Sequence, residues 1–338
     1  MRWVALWIAG VLLGGCPPGE SSSSSSSSGD EDIMFPDEAE AAEAPRHPAS
    51  ETVAAGERAL AARNVEEAEA LFRQATTETP EDPRAHLDLG LVLELQNEYD
   101  DAEASYRRAI ELDPEFAEAL SNLGLLLRDL RRSEEAVPML RRAIEVDETF
   151  GEAWLNLALA EEESGNDTGA RDAYRRAVRL LPNDATARAN LGLLLLRLGD
   201  TDQAAIELRR AIPLARGDAA ALQAVGNGLR MVGQADAAVR AMTMAIEAHE
   251  PTPALLSELA LAHRANDDRA AAKAALERAL ALDERFAIAH TLLGSLLAAE
   301  GAFQEAIPHF ERYLALEPNG AQAERTRRHL QMARRAAR

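Results

Sequence analysis

The chain contains a single cysteine, a single lysine and few aromatic residues among its 338 residues. With only Cys16 present, no disulfide bond can form within the chain, so the fold does not depend on an oxidising compartment. Aromatic residues make up 4% of the sequence, whereas alanine, leucine, glutamate and arginine are abundant, which indicates an all-helical chain. The net charge of −21 argues against binding to nucleic acid and against lying flat on an anionic membrane.

Recognisable catalytic and metal-binding motifs are also absent from the sequence. No two of its seven histidines have the i, i+4 spacing of helical metal ligands, and no H-E-x-x-H motif occurs. No serine lies in a G-x-S-x-G motif. The glycines between Gly226 and Gly233 follow no predicted strand and lack a Walker lysine, which excludes a phosphate-binding loop. We therefore predict that the protein is not an enzyme and holds no metal ion or cofactor.

What the sequence does contain is a pattern of 34 residues that recurs eight times without an insertion. In the copy at 151–184, Trp154 and Leu157 share one face of a first helix. Gly165 predicts the end of that helix, and Pro182 predicts the end of a second helix. A fixed period of this length is typical of stacked helical hairpins. The copies span residues 49–82, 83–116, 117–150, 151–184, 185–218, 219–252, 253–286 and 287–320.

Small residues recur at two positions of the repeat, where two helices of one hairpin must approach closely. The eighth position is glycine or alanine in every copy, and the twentieth is always alanine. Larger side chains flank these positions, and we expect them to fill the space between hairpins. They are Leu89, Leu123, Leu157 and Leu191 on first helices, and Phe72, Tyr106, Leu140, Tyr174 and Phe310 on second helices.

The pattern W-x2-L-G, followed by A-x3-aromatic and then proline, resembles the tetratricopeptide repeat. The resemblance covers residues 49–320 and implies an all-α fold, a right-handed superhelix (α-solenoid) of eight helix-turn-helix repeats. Residues 321–338 resemble the extra helix that closes many such solenoids, and we expect Leu330 and Met332 to pack against the last repeat.

In this family, positions 2, 5, 6, 9, 12 and 13 of the first helices line a concave groove that binds extended peptides or partner helices. Asparagine occupies position 6 in three consecutive copies, and leucine recurs at positions 5 and 9. The predicted peptide-binding residues are Asn122, Asn156, Asn190, Leu87, Leu91, Leu125, Leu155, Leu159 and Leu193. Two alternatives remain open: the amides could satisfy local backbone groups, and the leucines could pack against the neighbouring first helix.

A row of arginines is a further feature of the predicted groove. Arg128, Arg230 and Arg264 occupy position 12, and Arg197 lies beside that row. These side chains could favour an acidic segment of a partner. Alternatively, they are solvated or paired with acids of the same chain.

The first residues resemble the leader of a bacterial lipoprotein. An apolar run from Trp3 ends in Leu13-Gly14-Gly15-Cys16, which is similar to a lipobox. The resemblance implies that residues 1–15 are a cleaved signal peptide and that Cys16 is acylated, for example by palmitate. Residues 16–48 are then a disordered serine-rich and acidic tether.

The lipoprotein resemblance also implies a cellular location. Pro17 replaces the aspartate that commonly signals retention in the inner membrane, so we expect a lipid anchor in the outer membrane, facing the periplasm. An uncleaved signal anchor in the inner membrane, with the repeats in the cytoplasm, is the alternative.

Together these features predict a membrane-tethered scaffold or adaptor. Its partner would be a protein or peptide bound in the concave groove, and it would support assembly of a cell-envelope complex. We expect no nucleic acid, and contact with the membrane only through the lipid anchor. The asparagine ladder also resembles that of O-linked N-acetylglucosamine transferases. The alternative function is therefore an accessory subunit that presents substrate to a glycosyl-transfer enzyme, which a copurifying catalytic neighbour would favour.

Overall fold

A computed structural model describes residues 50–338, and within this range every regular element is an α-helix. The all-α prediction is confirmed for these residues. First and second helices of the repeat alternate along the chain, with one additional helix at the end. The helices are α1 Glu51–Ala61, α2 Val65–Glu78, α3 Pro83–Leu95, α4 Tyr99–Leu112, α5 Ala117–Asp129, α6 Ser133–Val146, α7 Gly151–Glu163, α8 Asp167–Leu180, α9 Ala185–Arg197, α10 Thr201–Leu214, α11 Ala219–Met231, α12 Ala235–Ala248, α13 Pro253–Ala265, α14 Arg269–Leu282, α15 Ala287–Ala299, α16 Phe303–Leu316 and α17 Ala323–Ala336.

The chain divides after Glu148 into two compact units. The described part of the N-terminal unit comprises α1 to α6, and the C-terminal unit comprises α7 to α17. In both units each first helix packs most extensively against the second helix of its own hairpin, and each hairpin also contacts its neighbours within the same unit. The hairpin is therefore the unit of packing, as the 34-residue period predicts.

Polar residues at the end of one repeat begin the first helix of the next. The Asp184 carboxylate accepts a hydrogen bond from the backbone N–H of Ala187 at 2.6 Å, and Thr252 caps α13 in the same way through Leu255 at 3.1 Å. Pro253 follows Thr252 at the first helical position, where a missing N–H has no cost. These caps satisfy backbone donors that the helix itself leaves unpaired.

The turn inside each hairpin has the same geometry in all eight copies. Gly165 has a φ of 78°, in the left-handed region, as its place at the end of α7 predicts. The next amide, of Asn166, donates to the carbonyl of Glu161 at 2.8 Å, which closes the end of the helix. Four copies adopt the left-handed conformation without glycine, at Arg63, Asn97, Arg131 and Asp267.

The large side chains of the second helices pack inside their own hairpin as well as between hairpins. Phe72 and Tyr106 contact the small eighth residue of their own hairpin rather than filling only the space between hairpins. A Cβ built on Gly56 would lie 2.5 Å from Cε1 of Phe72, and one built on Gly90 would lie 2.5 Å from Cε1 of Tyr106. Glycine at position 8 therefore sets the spacing within the hairpin, because the ring occupies the place of its side chain.

Helix α17 covers the end of the C-terminal unit. Thr326 is fully buried, and its hydroxyl lies 2.9 Å from that of Thr291 on α15. Leu330 is buried as expected, but the expected packing of Met332 is wrong, because its side chain is 58% exposed. The buried stripe runs through Ala323, Thr326, Leu330 and Ala333, and Met332 lies on the opposite side of the helix.

The predicted signal peptide at 1–15, the lipidation of Cys16 and the tether up to residue 48 lie outside the described residues. Of the helices in residues 50–338, none combines the length and apolar character needed to cross a membrane.

Candidate peptide-binding face

The predicted groove residues lie on one side of the first helices. We call positions 2, 5, 6, 9, 12 and 13 of these helices the first-helix face. In the N-terminal unit, Asn122 on α5 is 8% exposed, and its Nδ2 atom is buried without a hydrogen-bond partner among the described residues. Leu91 and Leu125 are half-buried on this face. Leu87 is only 2% exposed, so it belongs to the core rather than to an accessible surface.

In the C-terminal unit, the other predicted residues are partly accessible. Asn156 and Asn190 are half-buried at equivalent positions of α7 and α9, and no hydrogen bond joins their amides within this unit. Leu155, Leu159 and Leu193 are half-buried as well.

Leu193 is the predicted residue whose packing is best defined. A Cβ built on Gly228 of α11 would lie 3.0 Å from Cδ2 of Leu193. Leu193 therefore packs against the neighbouring first helix, which was one of the two open interpretations for the leucines. Glycine at position 228 permits this close approach.

The arginine row divides into paired and unpaired members. Arg128 pairs with Asp129, with Nη2 and Oδ1 2.6 Å apart. Arg197 pairs with Glu162 at 3.0 Å and with Asp167 at 2.6 Å. Neither Arg230 nor Arg264 forms an ion pair with any described residue.

A charged cluster on the N-terminal part of the first-helix face was not predicted. Arg84 on α3 contacts the carboxylate of Glu57 at 2.8 Å and that of Asp88 at 3.1 Å. Asp88 is 4% exposed, and burial raises its pKa to about 7 although Arg84 opposes the shift. The i, i+4 spacing of Arg84 and Asp88 is a signal that could have identified this pair.

Glu94 is a second buried carboxyl group on the same helix. The hydroxyl of Tyr106 donates a hydrogen bond to its Oε2 at 2.9 Å. Burial raises the pKa of Glu94 to about 7, and the hydrogen bond from Tyr106 opposes this effect. Position 12 of α3 is therefore a polar core position, unlike the arginines at position 12 in later repeats.

Three polar side chains form a hydrogen-bonded cluster on the first-helix face of the C-terminal unit. Gln223 and Asn227 on α11 both donate through their amide nitrogens to Oε2 of Glu258 on α13, at 2.8 and 2.9 Å. The cluster links two neighbouring repeats and holds the Glu258 carboxylate in one orientation. No sequence motif marks it, because its members come from different repeats.

An apolar cleft lies next to this cluster. It is a shallow depression lined by Leu261 and Leu292 from α13 and α15, with Arg264 at one side. Residues 50–338 include no group of three or more histidine, cysteine, aspartate or glutamate side chains arranged to hold a metal ion. Amides, leucines and arginines on one face are suited to non-covalent recognition of a polypeptide.

Comparison with known proteins supports the repeat assignment. The tetratricopeptide repeat family model matches residues 53–117, 121–185, 170–219 and 257–321. No curated protein matches the chain significantly. Among solved structures, PilW, a type IV pilus biogenesis factor, is 20% identical, with 58% of this chain and 91% of PilW covered and a TM-score of 0.52.

Two further structures show similar coverage. PilF of Pseudomonas aeruginosa is 19% identical, with 60% of this chain and 92% of PilF covered and a TM-score of 0.50. MamA is 28% identical, with 47% of this chain and 94% of MamA covered and a TM-score of 0.43. At these identities, PilW and PilF establish the fold alone. Tetratricopeptide repeats are protein-interaction modules whose repeats present extended binding surfaces. The family model covers more than half of the chain, and the chain belongs to the tetratricopeptide repeat family.

Proposed function

We propose that the protein is a membrane-tethered scaffold that binds a peptide or protein partner on its first-helix face and supports assembly of a cell-envelope complex. One observation carries this proposal: Asn156, Asn190, Leu155 and Leu159 are half-buried, and so partly accessible, on that face of the C-terminal unit. Leu91 and Leu125 are half-buried on the same face of the N-terminal unit.

Accessible side-chain amides favour a bound polypeptide because each offers both a donor and an acceptor. A backbone carbonyl of a partner chain would accept from the amide nitrogen of Asn156 or Asn190, and a backbone N–H of that chain would donate to the amide oxygen. Both asparagines lie half-buried on the first-helix face of the C-terminal unit. An extended chain could therefore be held there irrespective of its sequence, while the leucines select apolar side chains.

The proposed membrane tether is inferred from the sequence of the first residues. The lipobox-like Leu13-Gly14-Gly15-Cys16 supports lipidation of Cys16, and the serine-rich stretch after it supports a flexible connection. A lipid anchor and a peptide-binding face together would hold a partner near the membrane, with the outer membrane as the proposed site.

The proposal can be tested by crosslinking the native protein in intact cells and identifying its partners by mass spectrometry. The test variant combines Asn122→Ala, Asn156→Ala and Asn190→Ala. A matched control combines Asn183→Ala and Asn319→Ala, which remove exposed amides from interhelical loops. We expect partners to be lost in the triple variant and retained in the control. Partners that persist in the triple variant would exclude the amides of the first-helix face as the binding site.

A further inference from the structure

We propose that the first-helix face of α11, α13 and α15 binds an acidic segment of the partner. A carboxylate of that segment would bind Arg230 and Arg264, and an adjacent aliphatic side chain would pack against the half-buried Leu261 and Leu292. This inference rests on the proposed function, and it specifies the chemistry of the partner for one part of the face.

The arginines are the first line of support. Arg128 and Arg197, from the same row, have their charges balanced by carboxylates of the chain. Arg230 and Arg264 have no carboxylate within ion-pairing distance among the described residues, although the chain as a whole has a net charge of −21. An incoming carboxylate would supply the missing ion-pair partner of these guanidinium groups.

The acid of α13 on this face already has hydrogen-bond partners of its own. Glu258 is the acidic residue of α13, but Gln223 and Asn227 both donate to its carboxylate. Glu258 precedes Arg264 by six residues, which corresponds to about 9 Å along the helix axis. A ligand carboxylate at the arginines would therefore lie away from Glu258, whereas a cationic ligand residue would be favoured only at the Glu258 end.

The apolar cleft supplies the second element of recognition. Leu261 and Leu292 line it together with Leu276 and Leu296, and Arg264 borders it. An aliphatic side chain that packs on these leucines would bury apolar surface, and the residue beside it would reach the arginines. A segment with neighbouring acidic and aliphatic residues satisfies both parts of the surface at once.

A selection from random peptides displayed on phage tests this assignment, because it requires no identified partner. The full chain is immobilised, and bound peptides are sequenced and compared with the unselected library. The test variant is Arg230→Gln combined with Arg264→Gln. The matched control is Arg240→Gln, which removes an exposed arginine from α12 in the same unit. Thermal denaturation checks that each variant is folded, and the single variant at the exposed Arg264 is used if the double variant is not.

The expected result is enrichment of peptides with an acidic residue next to an aliphatic residue. This acidic preference should disappear in the double variant and persist in the control. For one selected peptide, replacement of its acidic residues by amides should weaken binding by about tenfold to a hundredfold.

The two proposals fail in different ways. Enriched peptides without an acidic preference, or a preference unchanged in the double variant, would overturn the assignment to Arg230 and Arg264 while leaving peptide binding intact. A chain that enriches no peptide would overturn both proposals.

Discussion

The Nδ1 atoms of His290 and His309 lie 3.0 Å apart, at hydrogen-bonding distance between two imidazole rings. The Nε2 atom of His290 lies 2.9 Å from the carbonyl oxygen of Glu284, which can only accept a hydrogen bond. His290 therefore donates through Nε2 and, when neutral, accepts through Nδ1 from His309. If both rings were protonated, two N–H groups would face each other across this contact.

This pair predicts that the C-terminal unit loses stability in mild acid. Burial lowers the pKa of His309 below its usual value of 6.5, and His290 lowers it further. Glu277 and Glu305 oppose the shift, and Lys273 adds to it. Because the unfolded chain binds the proton more tightly, we expect the free energy of unfolding to fall as the pH decreases below about 6.5. Thermal denaturation at about pH 7.5 and about pH 5.5 measures this loss.

Two variants isolate the contribution of the histidine pair. His309→Gln removes the titrating ring, so the loss of stability between the two pH values should be smaller than in the unmodified chain. His249→Gln removes an exposed ring from the same unit and should leave the loss unchanged. An identical pH dependence in His309→Gln and the unmodified chain would contradict the explanation.

The N-terminal unit is expected to respond to pH in the opposite direction. The pKa values of Asp88 and Glu94 are raised to about 7 in the folded chain, from ordinary values of 3.8 and 4.5. The folded state therefore retains protons that the unfolded chain releases. This stabilisation is present below about pH 4 and is lost as the pH rises through about 7. Hydrogen exchange of the α3 and α4 amides can be measured during urea denaturation at about pH 5 and about pH 8. It would report the stability of the N-terminal unit separately from that of the C-terminal unit.

Neutral variants of the two carboxyl groups provide the comparison. Asp88→Asn combined with Glu94→Gln should raise the stability of α3 and α4 at about pH 8 and remove most of the pH dependence. Glu66→Gln, at an exposed position of α2, should change neither quantity. If the double variant keeps the full pH dependence, these groups are not its source.

Gly90→Ala should destabilise the N-terminal unit, although alanine is the better helix former. The new Cβ would lie 2.5 Å from Cε1 of Tyr106, a fully buried ring whose hydroxyl is bound to Glu94. We expect the crowding to cost about 1–3 kcal/mol, which exceeds the gain of about 1 kcal/mol in helix propensity. Ala104→Gly, at an exposed position of α4, measures the difference in helix propensity between alanine and glycine by the same urea denaturation experiment. A Gly90→Ala chain more stable than the parent would show that the ring can move.

Cys16→Ser should prevent lipidation and release the chain from the membrane. In cells supplied with labelled palmitate, we expect the unmodified chain to incorporate label and to sediment with membranes, and the variant to do neither. Pro17→Asp should keep the label but shift the protein to the inner membrane. A Cys16→Ser chain that still sediments with membranes would favour the uncleaved signal anchor.

The repeat period was sufficient to predict the hairpins but not all of their turns. First helices begin at Ala117 and Ala185, where the period places the start of a copy, and Gly165 adopts the expected left-handed conformation. Arg63 and Arg131 adopt the same conformation although their side chains disfavour it. The hydrogen bonds that close the turn impose this geometry, and sequence preference alone does not reveal it.

The chemistry of the candidate face was less predictable than its position. The spacing identified which residues share the face, but burial and partners depend on side chains from other repeats. Burial raises the pKa of Asp88, and Glu57 from the preceding repeat raises it further. Glu258 is held by Gln223 and Asn227 of the preceding first helix. Contacts between residues about one period apart do not appear as motifs in the sequence.

The most direct test of the central claim is to map where the partner touches the protein. A photocrosslinking amino acid is introduced, one site at a time, in intact cells, and partner adducts are detected by mass spectrometry. The first-helix sites are Leu91, Leu125, Leu159 and Leu193, and the matched second-helix sites are Ala104, Arg141, Asp172 and Arg209. Adducts confined to the first-helix sites are the predicted result. Adducts confined to the second-helix sites would contradict the proposed binding face.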